Sequence, residues 1–359
     1  MKHYNLNYEL PGLLSNPKLI LKNDNRADPR LVEVLQSFGF EKSESEIPIN
    51  SSAKLQDKLK FCKEAEIDFE NKNKLLFENI SPVPAVEHFK EVIKGSEGNE
   101  INLHIHKPSN YGGNLPCIIH IHGGGMAILT TQTPCCKHWR DLLCAEGFLV
   151  VGIEFRHAAG SLGIHPFPAG LEDCMSGLDW VHHNRGKLDI SKIILSGESG
   201  GGNLSLAMTL KAKSEKKLEI INGVYALCPY INGDYGNKDA SLLSMYENDG
   251  YFISSKGLSI MASIYDPKNK PKDNFLAWPY WVDKQTLQGL PPHVISVNEL
   301  DLLRDEGLAY YRKLAGAGVS VYSRTVNGTC HAAEVVFPNA IPEATTSTIA
   351  DIKSFVNRL

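Results

Sequence analysis

Nowhere does this sequence offer the roughly 18 to 20 consecutive apolar residues that a bilayer-spanning helix requires. Its amino terminus, MKHYNLNYELPGLL, has no apolar core and no small-residue cleavage site, so no secretory signal is expected. Excess charge of one sign is missing as well. Lys and Arg number 37 against 41 Asp and Glu, a net charge of -4, which excludes a basic surface for nucleic acid. The Lys-rich stretch 211–217 is broken by Glu215 and reads as a solvated helix end. The eight cysteines show no CxxC spacing and no dense framework, so reduced, buried thiols are expected. Vicinal Cys135 and Cys136 are the one redox-capable pair, and the same compartment argument counts against that use. Neither GxGxxG nor GxxxxGK[ST] can be read, and there is no internal repeat or low-complexity tract. Together these absences point to a cytoplasmic globular protein with no nucleic-acid partner and no membrane span.

Apolar residues make up 42% and charged residues 22% of the 359, enough for a substantial core. Residues 1–80 are polar, with helical pattern at 29–38 and 53–70. Residues 86–93 and 101–106 alternate around a Gly-Ser-Glu-Gly connection and predict an antiparallel hairpin. Short, almost uninterrupted apolar runs follow at 117–121, 148–153, 193–195, 224–227 and 293–297, as in strands buried on both faces. Helical stretches at 139–145, 170–182, 203–212 and 305–314 separate most of them, and Gly316 and Gly318 close the last. This alternation predicts an α/β fold, a mostly parallel sheet with helices on both faces. Residues 231–290 break the rhythm with many aromatics and no buried strand, which suits a lid. The expected division is an amino-terminal segment 1–80, a core of 81–230 and 291–359, and an insertion 231–290.

Gly197-Glu198-Ser199-Gly200-Gly201 sits between the run 193–195 and a helix, the context of a nucleophile elbow. A serine in a strained turn brings strand and helix close together, so Gly197 and Gly201 must be small. His122-Gly123-Gly124-Gly125 follows the run 117–121 and lets backbone amides approach a developing oxyanion. The expected donors are Gly124, Gly125 and Gly200, with His122 bracing the loop. A serine needs a base, and among thirteen histidines His331 lies in the loop after the strand 319–326. Asp301, in the loop after 293–297, is favoured as the orienting acid over Glu299, Asp305 and Glu306. The last two open a helix, where acids suit the dipole and caps. His104 and His106, or His120 and His122, share strand faces, but no further ligands at suitable spacing suggest a metal.

HGGGM (122–126) upstream of GESGGGN (197–203) resembles the hormone-sensitive-lipase family of esterases. The likeness extends through HPFPAGLEDC, GVYALCPYI, ENDGYFI, AWPY and NELDLLRDEG, and is faint over the first 80 residues. It implies an α/β-hydrolase fold, with a helical cap built from the amino-terminal segment and the insertion. Nucleophile, acid and base fall on Ser199, Asp301 and His331. The family commonly has DPL where this chain has Asp301-Leu302-Leu303, His-Gly where it has His331-Ala332, and Asp at Glu198. The expected activity is hydrolysis of small carboxylic esters, of short acyl chains or hydrophobic alcohols, without cofactor or metal. Met126, Tyr230, Tyr251 and Phe252 are the expected substrate contacts, and the chain is expected as a monomer or homodimer. Lactones enter by resemblance alone. An amidase with the same residues, or a receptor that has lost turnover, are the alternatives.

Overall fold

The computed structural model describes residues 10–40, 47–110, 112–268 and 270–359. Residues 1–9 and 41–46 of the expected amino-terminal segment lie outside the described residues. Two helices come first, α1 (Pro29–Ser37) and α2 (Leu55–Phe77). Asp28 caps α1 by accepting from Arg30 N–H, and Pro29 supplies a preset φ at its first position. The expected hairpin follows as β1 (Val86–Lys94) and β2 (Glu100–Pro108), paired antiparallel with Ile93 opposite Ile101.

Strands and helices then alternate: β3 (Leu115–Ile121), α3 (Pro134–Ala145), β4 (Leu149–Glu154), α4 (Ala169–His183), β5 (Ile190–Glu198), α5 (Gly200–Ser214) and β6 (Gly223–Leu227). After an interruption come β7 (His293–Asn298), α9 (Arg304–Gly316), β8 (Val321–Val326), α10 (Ala333–Val336) and α11 (Pro342–Arg358). The interruption holds α6 (Ser244–Glu247), α7 (Ser255–Tyr265) and α8 (Lys284–Leu287), and among its described residues no strand. Eight strands form one sheet in the order β1-β2-β4-β3-β5-β6-β7-β8, parallel from β4 onward.

Alternation along the strands divides the core. Cys117, Ile119 and Ile121 of β3 face one side with Leu178 of α4, Leu204 of α5 and Leu314 of α9. Ile118 faces the other, with Trp139 and Leu143 of α3 and Ile349, Ile352 and Phe355 of α11. The final helix was not anticipated, because its Thr- and Ser-rich opening hides the apolar stripe. The expected helix 53–70 runs on to Phe77. Among the described residues no helix is long and apolar enough to cross a membrane.

Candidate active site

The elbow follows from crowding. Ser199 sits at φ 55, ψ -117, between the end of β5 and the start of α5. Its N–H donates to Leu227 O at 3.0 Å, and its carbonyl accepts from Asn203 N–H at 3.0 Å and Tyr230 N–H at 3.1 Å. These bonds hold a non-glycine residue at a positive φ that costs of order 1–3 kcal/mol. A Cβ on Gly197 would lie 2.4 Å from Ile121 O, and one on Gly201 would lie 1.8 Å from the same atom. Only glycine fits either position.

Gly124 and Gly125 adopt φ of 96 and 61. Among the described residues neither amide N–H has a backbone or side-chain partner. The Gly200 N–H, at the first turn of α5, has no partner within the helix either. A Cβ on Gly200 would sit 2.8 Å from Gly125 N, so the start of α5 packs directly against the glycine loop. Glu198, directly before the serine, accepts from Gly123 N–H at 2.8 Å and pairs with His120 Nε2 at 2.9 Å. Burial opposes the Glu198 charge, but His120 and the Gly123 N–H hold its pKa below the usual carboxylate value. His122 donates from Nδ1 to Gly123 O at 2.8 Å, and burial pushes its pKa down to about 4, so it stays neutral.

A clamp from α2 secures the same loop, and nothing in the sequence motifs announced it. The buried carboxylate of Glu66 accepts from Leu129 N–H at 2.8 Å, Ser161 N–H at 2.8 Å and the Ser161 hydroxyl at 3.1 Å. One turn on, Glu70 accepts from the Thr133 hydroxyl, and Asn73 accepts from Cys135 N–H at 2.9 Å. The spacing of 66, 70 and 73 puts all three on one helix face. Such a polar stripe on a helix reads in sequence as a solvated face.

His331 Nδ1 donates to Asp301 Oδ2 at 2.7 Å. Asp301 is fully buried and also accepts from Leu303 N–H at 2.9 Å. The competing acids are occupied elsewhere. Glu299 accepts from Gly328 N–H at 2.8 Å, and Asp305 from Ser244 N–H at 2.8 Å. Glu306 is not a solvated helix-opening acid. It is buried, and accepts from Ile231 N–H, Asn232 N–H and the Tyr235 hydroxyl at 2.7, 3.2 and 2.8 Å. Burial pushes its pKa up to about 8. Asn298, a buried polar residue at the end of β7, joins the two loops. It donates to Thr329 Oγ1 and Glu334 Oε2, both at 2.8 Å, and accepts from Ala332 N–H at 3.2 Å. Ala332 occupies φ 52, where the family's glycine would be unstrained.

Ser199, Gly124, Gly125 and His331 line one cavity of about 290 Å³. No hydrogen bond joins the Ser199 hydroxyl to the imidazole among the described residues, and the imidazole is held instead by Asp301. Apolar side chains from α2 (Phe61, Phe69) and the insertion (Phe252, Leu258, Met261) complete the walls. Of the four expected contacts, Phe252 lines the cavity and three do not. The Tyr230 hydroxyl donates to Leu258 O at 2.6 Å, that of Tyr251 to Asp24 at 3.1 Å, and Met126 is buried at φ 58 beside Gly200. Cys135 and Cys136 also line the wall, a position their sequence context did not reveal.

Of the histidines considered for a metal, His106 meets His88 and Asp141. Both rings bond Asp141 Oδ1 at 2.7 Å, and Arg140 Nε donates to His106 Nε2 at 3.0 Å. With Nε2 an acceptor, Nδ1 carries the proton toward Asp141, and a hydrogen-bond network accounts for the group. His120 and His122 are taken up by Glu198 and Gly123.

A family model described as alpha/beta hydrolase fold matches residues 118–335. Among solved structures, brefeldin A esterase, a bacterial homologue of human hormone-sensitive lipase, is 40% identical with a TM-score of 0.92, over 97% of this chain and 98% of that one. The esterase Est22 is 33% identical with a TM-score of 0.83, over 93% and 98%. Carboxylesterase NlhH of Mycobacterium tuberculosis is 31% identical over 228 residues, 62% of this chain and 67% of its own length.

Proposed function

This chain belongs to the α/β-hydrolase family, and from that premise we propose that it is a carboxylesterase acting through Ser199, His331 and Asp301. One observation carries the reading. A strained serine, an imidazole bonded to a buried carboxylate, and two glycine amides without a partner among the described residues line a single apolar cavity. In this reading His331 removes the Ser199 proton as the hydroxyl attacks the ester carbonyl. The Gly124, Gly125 and Gly200 amides hold the oxyanion, the alcohol departs, and water attacks the acyl-enzyme with His331 again as base. Asp301 keeps the proton on Nδ1 and stabilises the imidazolium. No step calls for a metal or an organic cofactor.

The cavity lies between residues contributed by 1–80 and by 231–290, which supports treating both as a cap over a core of 81–230 and 291–359. Its apolar walls and modest volume favour neutral, compact esters. Lactones fit the same chemistry, since ring opening leaves the alcohol tethered. A fluorophosphonate probe tests the assignment. Labelling should fall on Ser199 and should be lost in His331→Ala. Among p-nitrophenyl esters from acetate to palmitate, the best substrate should have an acyl chain of about four carbons or fewer. A chain that binds ester ligands yet takes no label and turns nothing over is a receptor, and the esterase reading is then wrong.

A further inference from the structure

We propose that Cys135 and Cys136 form a chelating site for a thiophilic divalent ion of the zinc and cadmium class, set in the wall of the substrate cavity. Their Sγ atoms lie 3.8 Å apart. Two metal–sulfur bonds of about 2.3 Å at a tetrahedral angle place sulfurs roughly 3.8 Å from each other, so the pair already has the bite of a two-thiolate chelate. Direct oxidation of the pair is a different matter. Disulfides span Cα separations of about 4.4–6.8 Å, whereas adjacent Cα atoms are about 3.8 Å apart. The first turn of α3 cannot stretch to meet that need. Pro134 fixes its start, and the Cys135 N–H is held by Asn73. The pair is therefore kept as a dithiol, open to an atom that bridges it from the cavity side.

The chemistry balances without an oxidant. One divalent ion and two thiols give a neutral dithiolate complex and two released protons, so affinity rises with pH. The neighbouring thiol and burial both raise the Cys136 pKa. Both cysteines line the cavity that Ser199 and His331 line, so the remaining coordination positions are left to solvent from it. Cys136 Sγ is also 3.8 Å from Glu198 Oε1, the oxygen that receives the Gly123 N–H. An ion held here narrows the cavity and pulls on the carboxylate that positions the glycine loop. Inhibition of hydrolysis follows, and that consequence rests on the esterase reading whereas binding does not.

The rival ligand set is Cys228, Asp301 and His331, whose donor atoms also lie within 4.8 Å of one another. Titration of the full chain with Cd2+ alone separates the two. The expected result is a thiolate-to-cadmium charge-transfer band saturating at one equivalent, with loss of p-nitrophenyl ester hydrolysis that EDTA restores. Cys135→Ala and Cys136→Ala should each weaken Cd2+ binding by more than about tenfold, since loss of a direct ligand exceeds the usual effect of an outer-shell change. Cys228→Ala should bind as the unmodified chain does. In that unmodified chain Cd2+ should protect Cys135 and Cys136 from N-ethylmaleimide, a readout that needs no variant to fold. Absence of that protection, or a band lost in Cys228→Ala and kept in the other two, overturns the proposal. A chain that binds Cd2+ but hydrolyses no ester overturns the esterase reading and leaves the site standing.

Discussion

At the scale of single residues, the carboxylate of Asp301 is held in a way that suits the orienting role proposed for it. It is fully buried, bonded to His331 Nδ1, and anchored through Oδ1 by the Leu303 N–H. Asn248 fixes the backbone behind it, donating to Asp301 O at 3.2 Å. Replacing one carboxylate oxygen by an amide leaves the shape intact but presents a donor to the imidazole, which stabilises the wrong tautomer. Asp301→Asn should therefore lower kcat by about 10³- to 10⁴-fold with little change in KM, and steady-state kinetics on a p-nitrophenyl ester would show it. A loss of only a few-fold would mean that another acid orients His331. That His331 pairs with Asp301 and shares a cavity with Ser199 was legible in the sequence because each placement rests on a local rule: glycine spacing, or a loop at the carboxyl end of a buried run. Asn298 was not, since a single Asn after a strand has no pattern. The three non-lining contacts were misjudged for the opposite reason. Aromatic residues near a cavity look alike in sequence, and only the acceptor each hydroxyl finds decides which ones turn away.

At the scale of elements, α2 was expected as a helix over 53–70, but its grip on the glycine loop was not. Its Glu66, Glu70 and Asn73 grip the segment following the glycine loop, where Met126 and Leu129 stand at φ 58 and 73. Positive φ in two non-glycine residues persists only when surroundings over-determine it. Gly124 O, in turn, accepts from the N–H groups of Ala127 and Ile128 at 3.0 and 3.1 Å, so slack at residue 129 reaches the amides of the oxyanion loop. Glu66→Ala leaves the buried Leu129 N–H unpaired, at about 1–3 kcal/mol, and releases the more exposed Ser161 N–H to water. It should also lower kcat by about tenfold or more with a much smaller change in KM, because oxyanion donors act mainly in the transition state. Glu66→Gln, which keeps one acceptor oxygen, should recover part of both. Binding of an alkyl boronic acid, which forms a tetrahedral adduct, separates this from general destabilisation: weakened affinity is expected in a protein that is still folded. Unchanged boronate affinity in Glu66→Ala would reduce α2 to a wall of the cavity. The strands and most helices were readable from hydrophobic periodicity. α2 offered only its polar stripe, and a stripe that grips a loop has the same composition as one that faces water.

At the scale of the whole molecule, two stretches distant in sequence meet over the sheet edge and are tied to it by buried polar groups. Arg26 bonds Asp24 and Glu247, Arg304 bonds Glu247 at 2.8 Å, and Lys58 donates to Ser263 Oγ at 2.9 Å. Glu306, at the start of α9, takes up the first amides of the insertion, while its Oε2 has no partner among the described residues. With a pKa pushed up to about 8, this side chain is neutral in the folded protein at pH 7, whereas in the unfolded chain it titrates near the ordinary glutamate value of 4.5. Below the unfolded value both states hold the proton, and its contribution to stability is fully present. As pH rises past 4.5 the unfolded chain releases the proton while the folded chain keeps it, so stability declines until about 8, beyond which the loss is complete. Glu306→Gln retains the acceptor oxygen for Ile231, Asn232 and Tyr235 and cannot ionise. Its stability relative to the unmodified protein should thus increase from about pH 5 to about pH 8, as urea unfolding midpoints at several pH values would record. A constant difference across that window would mean that the buried carboxyl is already ionised and finds its counter-charge elsewhere in the network.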